Sequence, residues 1–153
     1  GHSVGDRMIT RIGFRLRTAD TSLFAARLSS DEFGVLMTAG SAEEAMRMAE
    51  LLLQTVDSPA RFGEAEVQVG AAIGVALAPL HAQLGESLLR AADLALLAAK
   101  AEPGNQIRLY SPAMADQSER TATLETRVRA AVRSRQLQVA YQPMIDAATG
   151  RAI

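Results

Sequence analysis

The spacing of hydrophobic residues along the chain changes repeatedly between a helical and a strand-like period. Recurrence every three or four positions predicts four helices, at about 5–16, 41–56, 86–101 and 124–132. Short or alternating apolar runs predict strands at 23–26, 34–37, 65–79, 107–110 and 137–142. The strand at 65–79 is long, and a kink is expected at one of its glycines. The first two strands are joined by small polar residues and predict a hairpin. This order of elements indicates an α+β fold of the split β-α-β, ferredoxin-like kind, with helices packed on a sheet and a helix-strand extension at the C-terminus.

Local signals place some boundaries and faces of these elements. Ser41 and Glu44 have capping-box spacing, which predicts that Ser41 is the N-cap of the second helix. The inner face of the third helix is predicted to be Leu88, Leu89, Ala92, Leu96 and Ala99. We expect His81, in the loop before that helix, to be exposed and idle.

Composition excludes several classes of site. The 153 residues carry a formal net charge of −1, so no overall field favours nucleic acid or an acidic membrane. The absence of cysteine excludes disulfides and thiolate sites, and two histidines are too few for a histidine metal cluster. No apolar run approaches the roughly 20 residues that span a bilayer. We therefore expect a cytoplasmic protein with no membrane contact and no nucleic-acid partner.

The candidate chemistry is concentrated at the predicted hairpin tip, where Ser29 and Ser30 precede Asp31 and Glu32. Adjacent carboxylates beside a tight turn suit a divalent cation and a phosphate ester, although a solvated hairpin end has the same residue types. Lys100 is the only lysine in the chain. Its compact ammonium is suited to phosphate, and chance placement is the alternative.

Five segments together resemble the GGDEF (diguanylate cyclase) family followed by the start of an EAL (cyclic di-GMP phosphodiesterase) domain. They are Gly1–Asp6 (GHSVGD), Ala26–Phe33 (ARLSSDEF), Ala72–Ala76 (AIGVA), Leu88–Lys100 (LLRAADLALLAAK) and Tyr141–Pro143 (YQP). The resemblance implies a partial GGDEF domain over residues 1–112, a linker over 113–123 and the beginning of an EAL domain over 124–153. It also implies a nucleotidyl-cyclase-like sheet in a bacterial signalling protein.

Members of the family join two GTP molecules into cyclic di-GMP. The resemblance implies roles for the matching residues of this chain. Asp31 is implied as a metal ligand and the proton-accepting catalytic residue, with Glu32 as the neighbouring catalytic acid and second metal ligand. Substrate contacts are implied for His2, Asp6, Ser29, Ser30, Lys100 and Asn105. The implied cofactor is Mg²⁺ or Mn²⁺, and the implied partners are GTP, cyclic di-GMP and a second copy of the domain in a homodimer.

The chain departs from the family pattern at the signature turn. Ser29 and Ser30 replace two glycines, and we expect them to add bulk near the phosphates and strain in left-handed geometry. The product-inhibition motif RxxD resembles Arg17–Asp20, with a longer spacing to the turn than in the family.

The ends of the chain add two expectations. The family's first strand, which supplies another metal ligand, is expected before Gly1, so that the domain is truncated at its N-terminus. The phosphodiesterase ligands are expected beyond Ile153, so that this piece by itself completes neither active site. Three hypotheses follow: a degenerate, GTP-binding regulatory domain, an active diguanylate cyclase, or a non-catalytic dimerisation or interaction module.

Overall fold

The computed structural model describes residues 2–83 and 85–151, without the side chains of residues 2 and 3. Its elements, in chain order, are α1 (His2–Ala19), β1 (Phe24–Arg27), β2 (Phe33–Leu36), α2 (Ala42–Asp57), β3 (Ala60–Phe62), β4 (Ala65–Val67), β5 (Ala72–Val75), α3 (Gly85–Lys100), β6 (Gln106–Leu109) and α4 (Pro112–Arg133). The chain divides into two compact units, one ending at Ala115 and the other beginning at Asp116. The predicted α+β class is confirmed.

Strand pairing in the described residues gives three two-stranded sheets. The β1–β2 hairpin is antiparallel, with Ala26 opposite Gly34. Strands β3 and β4 form a second antiparallel hairpin, and β5 pairs in parallel with β6. A parallel pair needs a crossover connection, which α3 supplies.

The core of the first unit lies between α1, α2 and the strands. Its buried members are Met8, Ile12, Leu16, Leu23, Leu52, Val56 and Ala60. The three α1 residues are spaced four apart and the two α2 residues likewise, so each helix buries one stripe, as its periodicity predicts. Phe33 and Val35 of β2 pack against this cluster and attach the hairpin to it.

Both ends of α2 are capped. The backbone N–H of Glu44 donates to the Ser41 hydroxyl at 3.2 Å, which confirms the predicted N-cap. The Glu44 carboxylate in turn accepts from the N–H of Gly40 at 2.6 Å. After the last turn, Arg15 of α1 donates to the carbonyls of Ser58 and Pro59 at 2.5 and 2.8 Å. The guanidinium therefore ties α1 to the exit of α2.

The long strand predicted over 65–79 is wrong. The backbone forms β4 in one two-stranded sheet, is irregular over 68–71 and then forms β5 in a different two-stranded sheet. Gly63, with φ of +69°, makes the turn that folds β3 back on β4, and β3 was not predicted. The alternation of apolar residues continues through both strands and so predicts a single strand. The expected kink at a glycine is in fact a complete break, and Gly70 lies within it.

The predicted inner face of α3 is also partly wrong. The buried residues are Ala91, Ala95 and Ala99, whereas Leu89 is exposed. The reason is Gly74 on β5, where a Cβ atom would overlap the backbone of α3. A helix this close to the sheet leaves room for alanine and displaces leucine to the sides.

His81 is neither exposed nor idle, contrary to the prediction. Its Nδ1 accepts the N–H of Leu77 at 3.1 Å, and its ring meets the ring of Tyr110 edge-on at 5.4 Å. The half-buried imidazole closes the loop that follows β5.

In the second unit, α4 continues without interruption through the predicted linker 113–123, and none of its residues is buried. The predicted strand at 137–142 does not form, because none of the described residues pairs with it. A turn follows Asp146, with the N–H of Gly150 donating to the Asp146 carbonyl at 2.8 Å. Within the described ranges, no helix combines the length and apolar content that a membrane crossing requires.

Candidate functional site

The candidate site is the tip of the β1–β2 hairpin. The backbone N–H groups of Leu28 and Ser29 both donate to the carbonyl of Glu32, at 2.8 and 3.3 Å. This pairing closes a tight turn over Ser29, Ser30 and Asp31, all of which are exposed. The polar tip is thus presented to solvent while the strands behind it are anchored in the core.

Arg27 stabilises the turn by hydrogen bonds to its carbonyl groups. No role for this residue was predicted from the sequence. Its Nε donates to the Ser29 carbonyl at 2.9 Å, and its Nη2 donates to the Ser30 carbonyl at 2.6 Å. A planar guanidinium can satisfy two carbonyls at once, which lysine cannot do with the same geometry. An arginine at the end of a strand, two residues before the turn, was the available signal.

The two serine hydroxyls contact the two acids. Ser30 Oγ donates to Asp31 Oδ1 at 3.0 Å, and Ser29 Oγ lies 3.4 Å from Glu32 Oε2. In the described residues, Arg135 is the one non-glycine residue with positive φ. The left-handed strain expected at Ser29 and Ser30 is therefore absent, and only their bulk and their hydroxyl groups distinguish them from glycine.

Lys100 reaches the hairpin from the last residue of α3. Its Nζ lies 2.7 Å from Glu32 Oε1, an ion pair between residues 68 positions apart. The Lys100 and Glu32 side chains are 48% and 42% exposed, so solvent screens the pair and its net contribution is about 0.2–1 kcal/mol. The geometry therefore joins three of the predicted elements of the site: the acids, the serine turn and the lysine.

The hairpin tip supplies only part of a ligand set for a metal ion. Among residues 2–83 and 85–151, no three acidic or histidine side chains are grouped so as to hold a metal ion. Asp31 and Glu32 supply two carboxylates, and Mg²⁺ commonly binds through one or two carboxylates together with phosphate oxygens and water. The residues fit a cation that arrives with a phosphate ligand.

Two of the predicted substrate contacts, His2 and Asp6, lie on α1. The side chain of His2 is outside the described part of the structure. Asp6 is exposed and lines an open groove of about 750 Å³ together with Thr10, Phe14 and Phe62, among others. The guanidinium of Arg7 lies 4.9 Å from the centre of the Phe62 ring and borders the same groove.

Asn105 has a structural contact that its predicted role did not include. Its Oδ1 accepts the N–H of Ala71 at 2.8 Å, between β4 and β5. The side-chain oxygen is thus already used to hold the irregular segment that leads into β5.

The predicted product-inhibition residues are at the end of α1. Arg17 is exposed, and the Asp20 carboxylate accepts from the hydroxyl and the N–H of Ser22, both at 2.7 Å. The hydroxyl contact, followed by the backbone contact, holds the pKa of Asp20 below its ordinary value. Asp20 closes the turn into β1, so its carboxylate already has partners.

Comparison with known proteins agrees with this architecture. The family model for the diguanylate cyclase GGDEF domain matches residues 1–106. The bifunctional diguanylate cyclase/cyclic di-GMP phosphodiesterase MucR of Pseudomonas aeruginosa is 32% identical over 157 residues, covering 100% of this chain and 22% of MucR. The cyclic di-GMP phosphodiesterase PdeR of Escherichia coli is 30% identical over 95% of this chain and 22% of its own length. The chain thus spans about a fifth of these relatives.

Solved structures give the same result. The GGDEF domain of TpbB from Pseudomonas aeruginosa superposes with a TM-score of 0.68 and 34% identity, over 72% of this chain and 71% of that one. An EAL/GGDEF domain protein from M. capsulatus superposes with a TM-score of 0.65 and 31% identity, over 73% and 74% of the two chains. On the family match over residues 1–106 and these structural likenesses, the chain belongs to the GGDEF domain family of diguanylate cyclases.

Proposed function

We propose that this chain carries a degenerate GGDEF domain that binds GTP and has little or no cyclase turnover. In this proposal the domain regulates a cyclic di-GMP phosphodiesterase in the same signalling protein. Residues 124–153 are proposed as the beginning of that second, EAL domain. Support comes from relatives such as MucR and PdeR, whose similarity extends over nearly the whole chain and whose names include phosphodiesterase activity.

The observation that carries the proposal is the 2.7 Å contact between Lys100 and Glu32. It brings an ammonium suited to phosphate against the acidic hairpin tip, although 67 residues separate the two along the chain. A site with a cation donor and two exposed or half-exposed carboxylates can bind a phosphate together with a divalent metal.

Within this site we assign a role to each residue. Lys100 binds triphosphate oxygens, Asp31 and Glu32 hold Mg²⁺ or Mn²⁺, and Asp6 on α1 accepts from guanine N–H groups. The metal, when bound, would neutralise phosphate charge and polarise the reacting oxygens. Ser29 and Ser30 occupy space that glycine would leave to the phosphates, and this bulk is our reason for proposing weak turnover.

Calorimetry with GTP and Mg²⁺, on the chain extended at its N-terminus by the family's first strand, tests binding. We expect saturable binding that K100M weakens about tenfold or more, because a charged hydrogen bond to phosphate is lost. The matched control is R133M, which removes one positive charge from exposed α4. If the unaltered chain binds no GTP, the third hypothesis, a non-catalytic dimerisation or interaction module, replaces this proposal.

One observation favours an active cyclase as the second candidate. Neither Ser29 nor Ser30 has a positive φ, so the turn is formed without strain and both acids are retained. Incubation of the chain extended by the family's first strand with GTP and Mg²⁺, followed by chromatography for cyclic di-GMP, separates the two functions. Product from the unaltered chain would contradict the degenerate assignment.

A further inference from the structure

We propose that the Glu32 carboxylate is an internal competitor for phosphate at Lys100, so that their ion pair must open before a triphosphate binds there. This inference rests on the proposed function, because it concerns regulation of the same site. The ammonium is paired with a carboxylate of its own chain.

Competition follows from the charge and access at the pair. Lys100 carries the only ammonium side chain in the sequence, and about half of that side chain is exposed. A triphosphate can therefore approach it, but it meets the negative charges of Glu32 and Asp31 at the same point. A ligand can replace Glu32 only by interacting with Lys100 more favourably than Glu32 does.

Each oxygen of the Glu32 carboxylate has a contact of its own. Oε1 contacts the ammonium at 2.7 Å, and Oε2 lies 3.4 Å from the hydroxyl of Ser29. A glycine at position 29 could not make the second contact. The serine turn thus helps to hold the competing carboxylate in place.

A divalent cation would relieve this competition. A cation that takes Glu32 as a ligand removes the partner of Lys100 and leaves its ammonium open to phosphate. Cation and phosphate then bind cooperatively, each favouring the state with the ion pair open. The coupling is limited by the strength of an exposed ion pair, which corresponds to a factor of up to about five.

Because Lys100 is the only lysine, it can be observed on its own. Reductive ¹³C-methylation of the 153-residue chain labels Lys100 and the N-terminal amine, and it keeps the lysine charge. The Lys100 NMR signal is followed during titration with inorganic triphosphate in metal-free buffer, and separately with Mg²⁺ alone. The variants are E32Q and the charge-matched control D31N, with amide spectra checking that each remains folded.

We expect E32Q to bind triphosphate up to about fivefold more tightly than D31N, since only E32Q removes the partner of Lys100. We also expect Mg²⁺ alone to shift the Lys100 signal in the unaltered chain and not in E32Q. Equal affinities for E32Q and D31N, or a Lys100 signal that Mg²⁺ does not move, would overturn the inference while leaving GTP binding intact. A Lys100 signal that triphosphate moves in none of the proteins would overturn the phosphate role proposed for Lys100 as well.

Discussion

Gly74 of β5 lies directly against the backbone of Leu96 in α3, with no room for a side chain between them. A Cβ atom at position 74 would overlap the Leu96 amide and the carbonyl oxygen of Ala92. The buried face of α3 accordingly consists of alanines. This contact fixes how closely the helix that carries Lys100 approaches the sheet.

Substituting Gly74 should therefore destabilise the first unit. We expect G74A to lower the free energy of unfolding by about 2–3 kcal/mol, because the overlapping atoms are backbone and cannot rotate away. G5A is the control, since no atom lies within 4 Å of a Cβ placed at that helical position. Chemical denaturation measures both variants, and equal stability of G74A and G5A would contradict the prediction.

Arg27 should determine how rigid the signature turn is. We expect R27A to lower stability by about 1 kcal/mol, because two exposed hydrogen bonds to the Ser29 and Ser30 carbonyls are lost. Amide hydrogen exchange should accelerate at Leu28 and Ser29. The control R129A, on exposed α4, should leave exchange in the hairpin unchanged. If R129A accelerated exchange at Leu28 and Ser29 as much as R27A does, a local role for Arg27 would be refuted.

Asn105 offers a test between a structural and a ligand-binding role. N105A should lower stability by about 1 kcal/mol, because the N–H of Ala71 loses its acceptor. N105D keeps an oxygen at the same position and should retain most of that stability. If N105A instead left stability unchanged and weakened GTP binding in calorimetry, the predicted substrate role would be supported over the structural one.

The serine turn can be tested by restoring glycine. Since the backbone at Ser29 and Ser30 is not in the left-handed region, strain does not explain a loss of turnover. We expect the S29G/S30G variant to be less stable by about 0.5–1 kcal/mol per glycine, from backbone entropy. In a chain extended at its N-terminus by the family's first strand, we expect the two glycines to give cyclic di-GMP where the two serines do not. A folded variant that binds GTP and still yields no product would exclude bulk at the turn as the cause.

Asp20 should contribute to the pH dependence of stability. Its pKa is lowered in the folded chain by the Ser22 hydroxyl and then by the Ser22 N–H, so its ionised form is favoured by folding. That contribution is present above the unfolded Asp pKa of about 4 and is lost as the pH falls through the folded value.

We therefore expect D20N to be less stable than the unaltered chain at pH 7 and to approach it on acidification. Urea unfolding across the acid range measures the difference between the two proteins. A difference that widens as the pH falls would show that the sign is wrong.

Local sequence determined the features that depend on neighbours a few residues apart. Ser41 begins α2 because its hydroxyl accepts from an N–H three residues later, a contact set by helical geometry alone. The buried stripe of Met8, Ile12 and Leu16 could be predicted from the sequence because residues four apart share a helix face. The hairpin could also be predicted from local sequence, because one short turn joins its two strands.

Tertiary structure decided the features that depend on distant parts of the chain. The break between β4 and β5 is held by Asn105, more than 30 residues away, and the alanine face of α3 follows from its approach to Gly74. Residues 137–142 have a strand pattern but no partner among the described residues, and a strand is defined by pairing as well as by pattern. Asp31 and Glu32 were candidates from their sequence alone. Only the tertiary structure brings Lys100, at the end of α3, to Glu32, because spacing along a chain does not determine which distant residues meet.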